Sequence, residues 1–310
     1  MIRIGTVNID TSHAPSFAEI LLKENRAKYT ALYNDGFRNE DDVNKFIEKY
    51  GLEKRYTDLS EMAKNIDVAF IQSCDWDRHI ELAKPFVDAD VPVFIDKPLV
   101  GNIKDMHLIE KWVADGKIIL GTSAMRYTYE HDDFFSNAKS SEILCVTTTV
   151  GVDEFNYAIH AVEEIMGFLK GFYPVSTQFI GTNTVDEAPV DSYRVMFNNG
   201  ASAYYHICKK GWQPSTAIVM TAKTTYVYKI DSNKVYEAML KQVCNYFEKL
   251  PNTLATVDEM NYSIKTMLAG KKSASNNGAV VKLDTLAESD EGFDGLKFYK
   301  SYAEAQGYKI

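Results

Sequence analysis

Short apolar runs alternate with helical patterns over the first 121 residues, and this alternation constrains the fold more than any other feature. The runs, such as "VAFI" and "KIIL", are continuous, which is typical of parallel strands covered on both faces. The predicted strands are Arg3–Ile9, Tyr29–Tyr33, Asp67–Gln72, Pro92–Ile95 and Lys117–Gly121. The predicted helices are Ser16–Glu24, Glu40–Tyr50, Leu59–Lys64, His79–Asp88 and Ile103–Asp115. The pattern predicts βαβ units in a doubly wound parallel sheet, which binds ligands outside the strands' carboxyl ends where strand order reverses.

The pattern changes after residue 122. A strand "SEILCVTTTV", a helical segment "DEFNYAIHAVEEIMGFL" and three long β segments follow. The Asn198-Asn199-Gly200 triplet predicts a hairpin turn, because asparagine and glycine accept a positive φ. Two more helices are predicted at Val235–Leu250 and Val257–Ala269, and "KKSASNNGA" is predicted to be a loop. We therefore predict a Rossmann-type domain over 1–122 and a second α+β domain, built on a largely antiparallel sheet, over 123–310.

Composition excludes several classes of protein. The chain has 310 residues, a formal net charge of −9 and dispersed basic residues, which argues against nucleic acid as a partner. It contains no apolar stretch of about 18 residues, so no membrane span is predicted. The first residues enter a strand directly, without the pattern of a secretion signal, so we expect a cytoplasmic protein. The four cysteines are far apart and form no CxxC pair, which favours reduced thiols over a disulfide or metal site.

Two segments carry residues suited to proton chemistry. Lys97 follows a buried strand in "VPVFIDKPLVGN", at the edge where a doubly wound sheet binds ligands. A partly desolvated lysine there can polarise or protonate a substrate oxygen, although a surface lysine would fit the same pattern. Asn156 and His160 are four residues apart, so a helix would place both on one face. His160 could act as an acid or base, or be a half-buried structural histidine, and Glu163 could orient it.

These features together resemble the Gfo/Idh/MocA family, the relatives of glucose–fructose oxidoreductase and inositol dehydrogenase. "IDKPLVGNIKDMHLIEKW" resembles the family's "EKP" block, and "DVAFIQSCDWDRHIELAKPFV" resembles the block that precedes it. "NNGASA" resembles a hairpin of the substrate domain, and the later helix resembles the family's D-x-x-x-H pattern. The resemblance covers nearly the whole chain and implies a nicotinamide coenzyme.

The resemblance also implies roles for individual residues. Lys97 would lie between nicotinamide and substrate, and His160 would exchange a proton with the substrate hydroxyl or share that role with Lys97. Asp96 would approach the nicotinamide ribose. The middle of the coenzyme would be lined by Ser73, Cys74, Asp75 and His79. Arg126 and Tyr127 would face the substrate, while Asn156 stands where many relatives carry aspartate and can hold a hydroxyl but cannot act as a base.

The loop after the first strand departs from the family. Asn8, Asp10 and His13 occupy the positions of the three glycines of G-x-G-x-x-G. Asparagine and aspartate are the best substitutes for glycine at left-handed φ, so the turn can form. Thr11 and Ser12 are expected to cap the next helix, whose N-terminus favours a phosphate. We expect Asp10 to point away and cap the helix, and a protonated His13 to offset its charge.

The end of the second predicted strand bears on the choice of coenzyme. Asp35 could accept hydrogen bonds from an adenosine ribose diol, which favours NAD, whereas Arg38 could bind a 2′-phosphate, which favours NADP. Asn34-Asp35-Gly36 could also be an ordinary turn. We favour NAD and keep NADP open.

The sequence therefore predicts an NAD(P)-dependent oxidoreductase that acts on a secondary alcohol or ketone carbon of a sugar, cyclitol or related polyol. Two alternatives remain, namely a redox-neutral glycosidase that uses NAD transiently and a nucleotide- or metabolite-binding protein without turnover. Apolar residues at alternating positions of both parities in "TAIVMTA" and "TTYVYKI" predict that both faces of the second sheet are covered. A homodimer or homotetramer formed through that sheet is the expected assembly.

Overall fold

A computed structural model describes residues 1–309, which form two compact units. The first comprises Met1–Thr122, Leu240–Val257 and the chain from Asp294 onward, and the second comprises Ser123–Met239 and Asp258–Phe293. The predicted domains, 1–122 and 123–310, stay a prediction, because compactness alone does not show which segments fold independently.

The first unit contains a six-stranded parallel sheet. Its strands are β1 (Ile2–Val7), β2 (Ala27–Tyr33), β3 (Lys54–Tyr56), β4 (Val68–Ile71), β5 (Val93–Ile95) and β6 (Ile119–Gly121). They lie in the order β3-β2-β1-β4-β5-β6, and every neighbouring pair is parallel. The order reverses between β1 and β4, which makes their carboxyl ends the expected ligand crevice. The predicted doubly wound parallel sheet is confirmed.

Helices connect these strands. They are α1 (His13–Glu24), α2 (Glu40–Tyr50), α3 (Leu59–Ala63), α4 (His79–Asp88) and α5 (Ile103–Ala114). Side-chain hydrogen bonds cap the N-termini of several helices. The Asn39 side chain accepts a hydrogen bond from the Asp42 N–H at the start of α2, and Asn102 caps α5 in the same way. The α1 helix begins at His13, three residues before the predicted start, so the loop after β1 is short.

The second unit contains a seven-stranded sheet. Its strands are β7 (Ile143–Gly151), β8 (Pro174–Val185), β9 (Ala188–Phe197), β10 (Ser202–Cys208), β11 (Thr216–Thr221), β12 (Thr225–Lys229) and β13 (Val281–Lys282). The order is β12-β11-β7-β10-β9-β8-β13, and only the β7–β10 pair is parallel. Gly200 has a φ of 87° in the turn between β9 and β10. The largely antiparallel sheet and the hairpin are both confirmed.

The remaining helices are α6 (Tyr129–Asn137), α7 (Ala158–Phe168), α8 (Val235–Phe247), α9 (Val257–Ser275) and α10 (Gly295–Ala305). The α7 helix packs on β7, where the Thr148 hydroxyl donates to the Ala161 carbonyl across 3.2 Å. The α9 helix continues to Ser275, so the first residues of the predicted "KKSASNNGA" loop are helical. The α10 helix was not predicted from the sequence.

Two further observations concern the whole described chain. Within residues 1–309, no helix is both long and apolar enough to cross a membrane. The four cysteines are free thiols, and Cys74 and Cys244 are buried.

Candidate functional site

Asn8 forms the turn after β1 in place of a glycine. Its φ is 65°, in the left-handed region that asparagine tolerates better than most residues. Its Oδ1 accepts a hydrogen bond from the Asp35 N–H at 2.9 Å, and its own N–H donates to the Tyr33 carbonyl at 2.8 Å. The prediction of a left-handed residue here is confirmed for Asn8, but Asp10 is not among the residues with positive φ.

Asp10 links the loop after β1 to the loop after β4. Its Oδ2 accepts from the Cys74 N–H at 3.1 Å and from the Ser73 hydroxyl at 3.4 Å. Burial raises the pKa of Asp10 from 3.8 to about 6, and the donors from Cys74 and Ser73 only partly offset this effect. The expectation that Asp10 caps the helix is wrong, because the carboxyl group bridges the two loops that border the crevice.

Of the two hydroxyl residues before α1, one caps the helix and the other does not. Thr11 Oγ1 accepts from the His13 N–H at 3.2 Å, as expected of a cap, whereas the exposed Ser12 makes no capping hydrogen bond. The His13 ring lies 2.6 Å (Nδ1 to Oδ2) from the buried carboxyl of Asp96. Burial opposes ionisation of Asp96, but His13 and Lys97 together outweigh it and lower the pKa of that carboxyl. The sequence suggested that His13 offsets the charge of Asp10, but in the structure His13 pairs with Asp96.

Lys97 lies at the carboxyl end of β5, as predicted. Its N–H donates to Asp96 Oδ1 at 2.8 Å, and its side chain is half-buried. The peptide bond between Lys97 and Pro98 is cis. Thus Asp96 joins the start of α1, through His13, to the backbone of Lys97.

The loop after β4 is held by its own side chains. The Ser73 hydroxyl accepts from the Asp75 N–H at 3.2 Å. His79 is fully buried, with Nδ1 at 3.0 Å from the Leu99 carbonyl and Nε2 at 2.9 Å from the Ser73 carbonyl. His79 thus joins the loops after β4 and β5. Burial, reinforced by Asp10, raises the pKa of the Cys74 thiol well above its usual range, so this thiol stays protonated.

The two residues that bear on coenzyme choice both have protein partners. Arg78 donates to both carboxylate oxygens of Asp35, at 3.2 and 2.7 Å, and helps to lower the pKa of Asp35 against the effect of burial. Arg38 donates to the Asp10 carbonyl at 2.9 and 3.2 Å and to the Tyr308 hydroxyl at 3.0 Å. The sequence did not identify Arg78 or Tyr308 as partners, because both lie far from these residues along the chain.

Buried polar atoms without a protein partner cluster at the point where strand order reverses. In the part of the chain that the structure describes, ten buried side-chain N or O atoms have no hydrogen-bond partner. Four of them follow the carboxyl ends of β1, β2 and β4: Asn8 Nδ2, Asp10 Oδ1, Asn34 Oδ1 and Gln72 Nε2. Buried polar atoms are normally satisfied, so these four make the interior of this edge unusually polar, although none of them is reachable from solvent.

The second unit places His160 in the first turn of α7. Its Nδ1 lies 2.6 Å from the Ser123 hydroxyl, a partner that the sequence analysis did not identify. Asn156 lies in the turn before α7, so the prediction that both residues share a helical face is wrong at Asn156. Asp153 explains why the helix starts late, because its Oδ1 accepts from the Phe155 and Tyr157 N–H groups and holds the turn.

Arg126 and Tyr127 are adjacent residues of the short helix Ala124–Tyr127, and the side chains of both are buried. The Arg126 guanidinium pairs with Glu163 on α7 and donates to the Ser263 hydroxyl at 2.9 Å. This pairing neutralises the charge of Arg126, the residue that the family resemblance would place facing the substrate. Within residues 1–309, no group of three or more histidine, cysteine or acidic side chains is arranged to hold a metal ion.

A six-stranded parallel sheet with reversed strand order, polar residues after the strands at the reversal and an adjacent helix N-terminus are the features of dinucleotide-binding Rossmann folds. Residues 3–121 match the family model described as "Oxidoreductase family, NAD-binding Rossmann fold", GFO_IDH_MocA. Over these residues the resemblance predicted from the sequence is confirmed. No curated protein matched the sequence significantly.

Solved structures share the fold over nearly the whole chain. A probable dehydrogenase from Thermotoga maritima is 19% identical with a TM-score of 0.77, and the match covers 92% of this chain and 100% of that one. The scyllo-inositol dehydrogenase of Lactobacillus casei, solved with NAD(H) and scyllo-inositol, is 14% identical with a TM-score of 0.74, covering 92% and 100%. A putative myo-inositol dehydrogenase from Sinorhizobium meliloti 1021 is 13% identical with a TM-score of 0.77, covering 91% and 100%. At such identities the likeness establishes the fold alone.

Proposed function

We propose that the chain is an NAD-dependent dehydrogenase that acts on a secondary hydroxyl of a sugar, cyclitol or related polyol. The observation that carries the proposal is the reversal of strand order between β1 and β4, with the N-terminus of α1 and the Asp35 carboxylate following β1 and β2 at that edge of the sheet. The family match supports the coenzyme, and the likeness to inositol dehydrogenases supports the polyol class.

The residues of the first unit suit a dinucleotide. The exposed Ser12 and the first N–H groups of α1 are suited to the pyrophosphate, because a helix N-terminus favours an anion. The Asp35 carboxylate is kept ionised by Arg78 and retains lone pairs for a ribose diol. Arg38 is already bonded to Asp10 and Tyr308, which leaves fewer donors for a 2′-phosphate. We therefore propose NAD over NADP.

Two side chains would handle the proton and the alkoxide charge. Bound nicotinamide supplies the hydride acceptor. The Lys97 ammonium would stabilise negative charge that develops on the substrate oxygen, and Asp96 fixes the backbone of that lysine. His160 would exchange the hydroxyl proton, a task suited to imidazole near neutral pH. Asn156 would bind a neighbouring hydroxyl without taking a proton, and Arg126 would act indirectly through Glu163.

The second sheet is the proposed surface for self-association. Ile218, Met220 and Val227 are 41, 46 and 69% exposed, and Ile218 pairs directly with Val227 across β11 and β12. Apolar side chains on a sheet face are normally covered, so we propose a homodimer or homotetramer.

Calorimetric titration with NAD⁺ and NADP⁺, followed by assay of NADH formation over a polyol panel, tests the proposal. We expect tighter binding of NAD⁺ and turnover with at least one cyclitol or sugar. Absence of binding by either coenzyme would refute the dehydrogenase and the redox-neutral glycosidase together. Binding without net NADH formation on any polyol would favour the glycosidase or a protein without turnover, and assay of glycoside cleavage separates these two.

A further inference from the structure

We propose that Ser123 is a positioning residue that holds the His160 ring and fixes its neutral tautomer with the proton on Nε2. The inference rests on the proposed function, since it assigns a partner to the acid/base residue of that function. Both residues lie in the second unit, and neither the sequence pattern nor the family resemblance indicated the contact.

Ser123 is itself rigidly held. Its side chain is fully buried, and it precedes the short helix Ala124–Tyr127. Its Oγ accepts a hydrogen bond from the Met125 N–H at 3.1 Å, which caps that helix and fixes the oxygen in space. The 2.6 Å contact with His160 Nδ1 therefore starts from an oxygen that has little freedom to move.

The hydrogen-bonding capacity of a hydroxyl group then decides the tautomer. A serine hydroxyl has one proton and two lone pairs, and the Met125 N–H uses one lone pair. The buried hydroxyl proton needs an acceptor, and among the described residues it finds this acceptor in His160 Nδ1. Toward a neutral His160, Ser123 therefore donates its proton to Nδ1, which leaves the imidazole proton on Nε2. Toward a protonated His160, the second lone pair of Ser123 accepts the Nδ1 proton.

One contact is thus kept in both protonation states, so proton exchange with a substrate takes place at Nε2. An acid/base residue gains from this arrangement, because the ring need not turn between the two states. Removal of the hydroxyl would let the neutral ring carry its proton on either nitrogen and would loosen its orientation.

The same unit offers a matched control. Ser192 Oγ lies 2.9 Å from His206 Nδ1 on the paired strands β9 and β10, and no site residue is assigned there. Ser192→Ala removes a hydroxyl–imidazole contact of the same kind without touching Ser123 or His160.

Histidine ¹⁵N NMR of the full chain without coenzyme tests the proposal directly. The chain has six histidines, and His160→Asn identifies the resonances of His160. In the wild type at alkaline pH we expect an unprotonated Nδ1 and a protonated Nε2 for His160. In Ser123→Ala we expect averaging of the two nitrogen shifts, whereas Ser192→Ala leaves His160 unchanged. A wild-type His160 with its proton on Nδ1, or an unaltered tautomer in a folded Ser123→Ala, would overturn the proposal.

Turnover adds a second measurement with NAD⁺ and whichever panel polyol proves active. Ser123→Ala is expected to lower kcat about tenfold, which corresponds to the loss of one hydrogen bond of about 1.4 kcal/mol, with little change in NAD⁺ affinity. Ser123→Thr keeps the hydroxyl and is expected to restore the wild-type tautomer and most of kcat. An unchanged kcat in Ser123→Ala counts against the role of Ser123. Because the NMR measurement needs no substrate, absence of turnover in the wild type refutes the proposed function without deciding the tautomer.

Discussion

Asp10→Asn removes a buried titrating group and keeps the shape of the side chain. The folded chain raises the pKa of Asp10 from 3.8 to about 6, so the folded state binds the proton more tightly than the unfolded state does. The stability from this proton is fully present below the unfolded pKa of 3.8 and is lost as pH rises through about 6. At about 1.4 kcal/mol for each pKa unit, the whole effect is about 3 kcal/mol.

Urea denaturation measures this effect as a difference between two proteins. Between about pH 5 and about pH 8, the wild type should lose about 1 kcal/mol of unfolding free energy relative to Asp10→Asn. Asp58→Asn is a matched control, because Asp58 caps α3 from the surface and asparagine caps helices equally well. If the unfolding free energies of the wild type and Asp10→Asn change in parallel with pH, the buried carboxyl does not titrate in this range.

The same carboxyl should affect coenzyme binding. An ionised Asp10 at about 5 Å from a pyrophosphate would oppose binding by on the order of 1 kcal/mol. We therefore expect NAD⁺ affinity to fall more in the wild type than in Asp10→Asn as pH rises from about 5 to about 8. Equal pH dependence of the two dissociation constants, measured by calorimetry, would place the phosphates away from Asp10.

Four other substitutions test separate parts of the structure. Lys97→Ala should lower kcat roughly 100-fold or more while thermal melting changes little, and wild-type turnover would end its proposed role. His160→Asn should flatten the pH profile of kcat between about 6 and 8, and an unchanged profile would assign the proton elsewhere. Burial raises the pKa of Glu164 from 4.5 to about 8, so the free energy of unfolding falls as pH rises from 4.5 to about 8. Glu164→Gln should therefore gain about 3 kcal/mol over the wild type between about pH 5 and pH 8 in urea denaturation, and parallel curves would contradict this. Ile218→Asp should reduce the mass seen by light scattering, and a monomeric wild type at micromolar concentration would refute the proposed association.

The parallel sheet was predictable because continuous apolar runs and helical patterns are local signals. β3 escaped prediction because it has only three residues, "KRY", of which two are charged. Its strand conformation comes from pairing with β2, a tertiary contact that overrides weak local propensity.

The α10 helix escaped for a different reason. "GLKFYKSYAEA" is amphipathic, but nothing in the local pattern says which part of the chain it contacts. In the structure, Phe298 lies 5.1 Å from Trp76 (ring centroids), and the Tyr308 hydroxyl accepts from Arg38. The last part of the chain therefore packs at the end of β2 and after β4, which explains why the partner of Arg38 was not foreseen.

The loop after β1 separates what local conformation decides from what tertiary packing decides. Whether a residue tolerates the turn depends on its own φ, and Asn8 meets that requirement as the sequence indicated. Where the Asp10 side chain goes depends on residues that are distant in sequence, because it needs the Cys74 N–H and open space beside Gly36. A Cβ on Gly36 would lie 2.0 Å from Asp10 Oδ1, so a side chain there would clash with the carboxyl group. The glycine that this arrangement requires is thus Gly36, in the loop after β2, and not a residue of the loop after β1. A search for glycines in the first loop alone would miss this site.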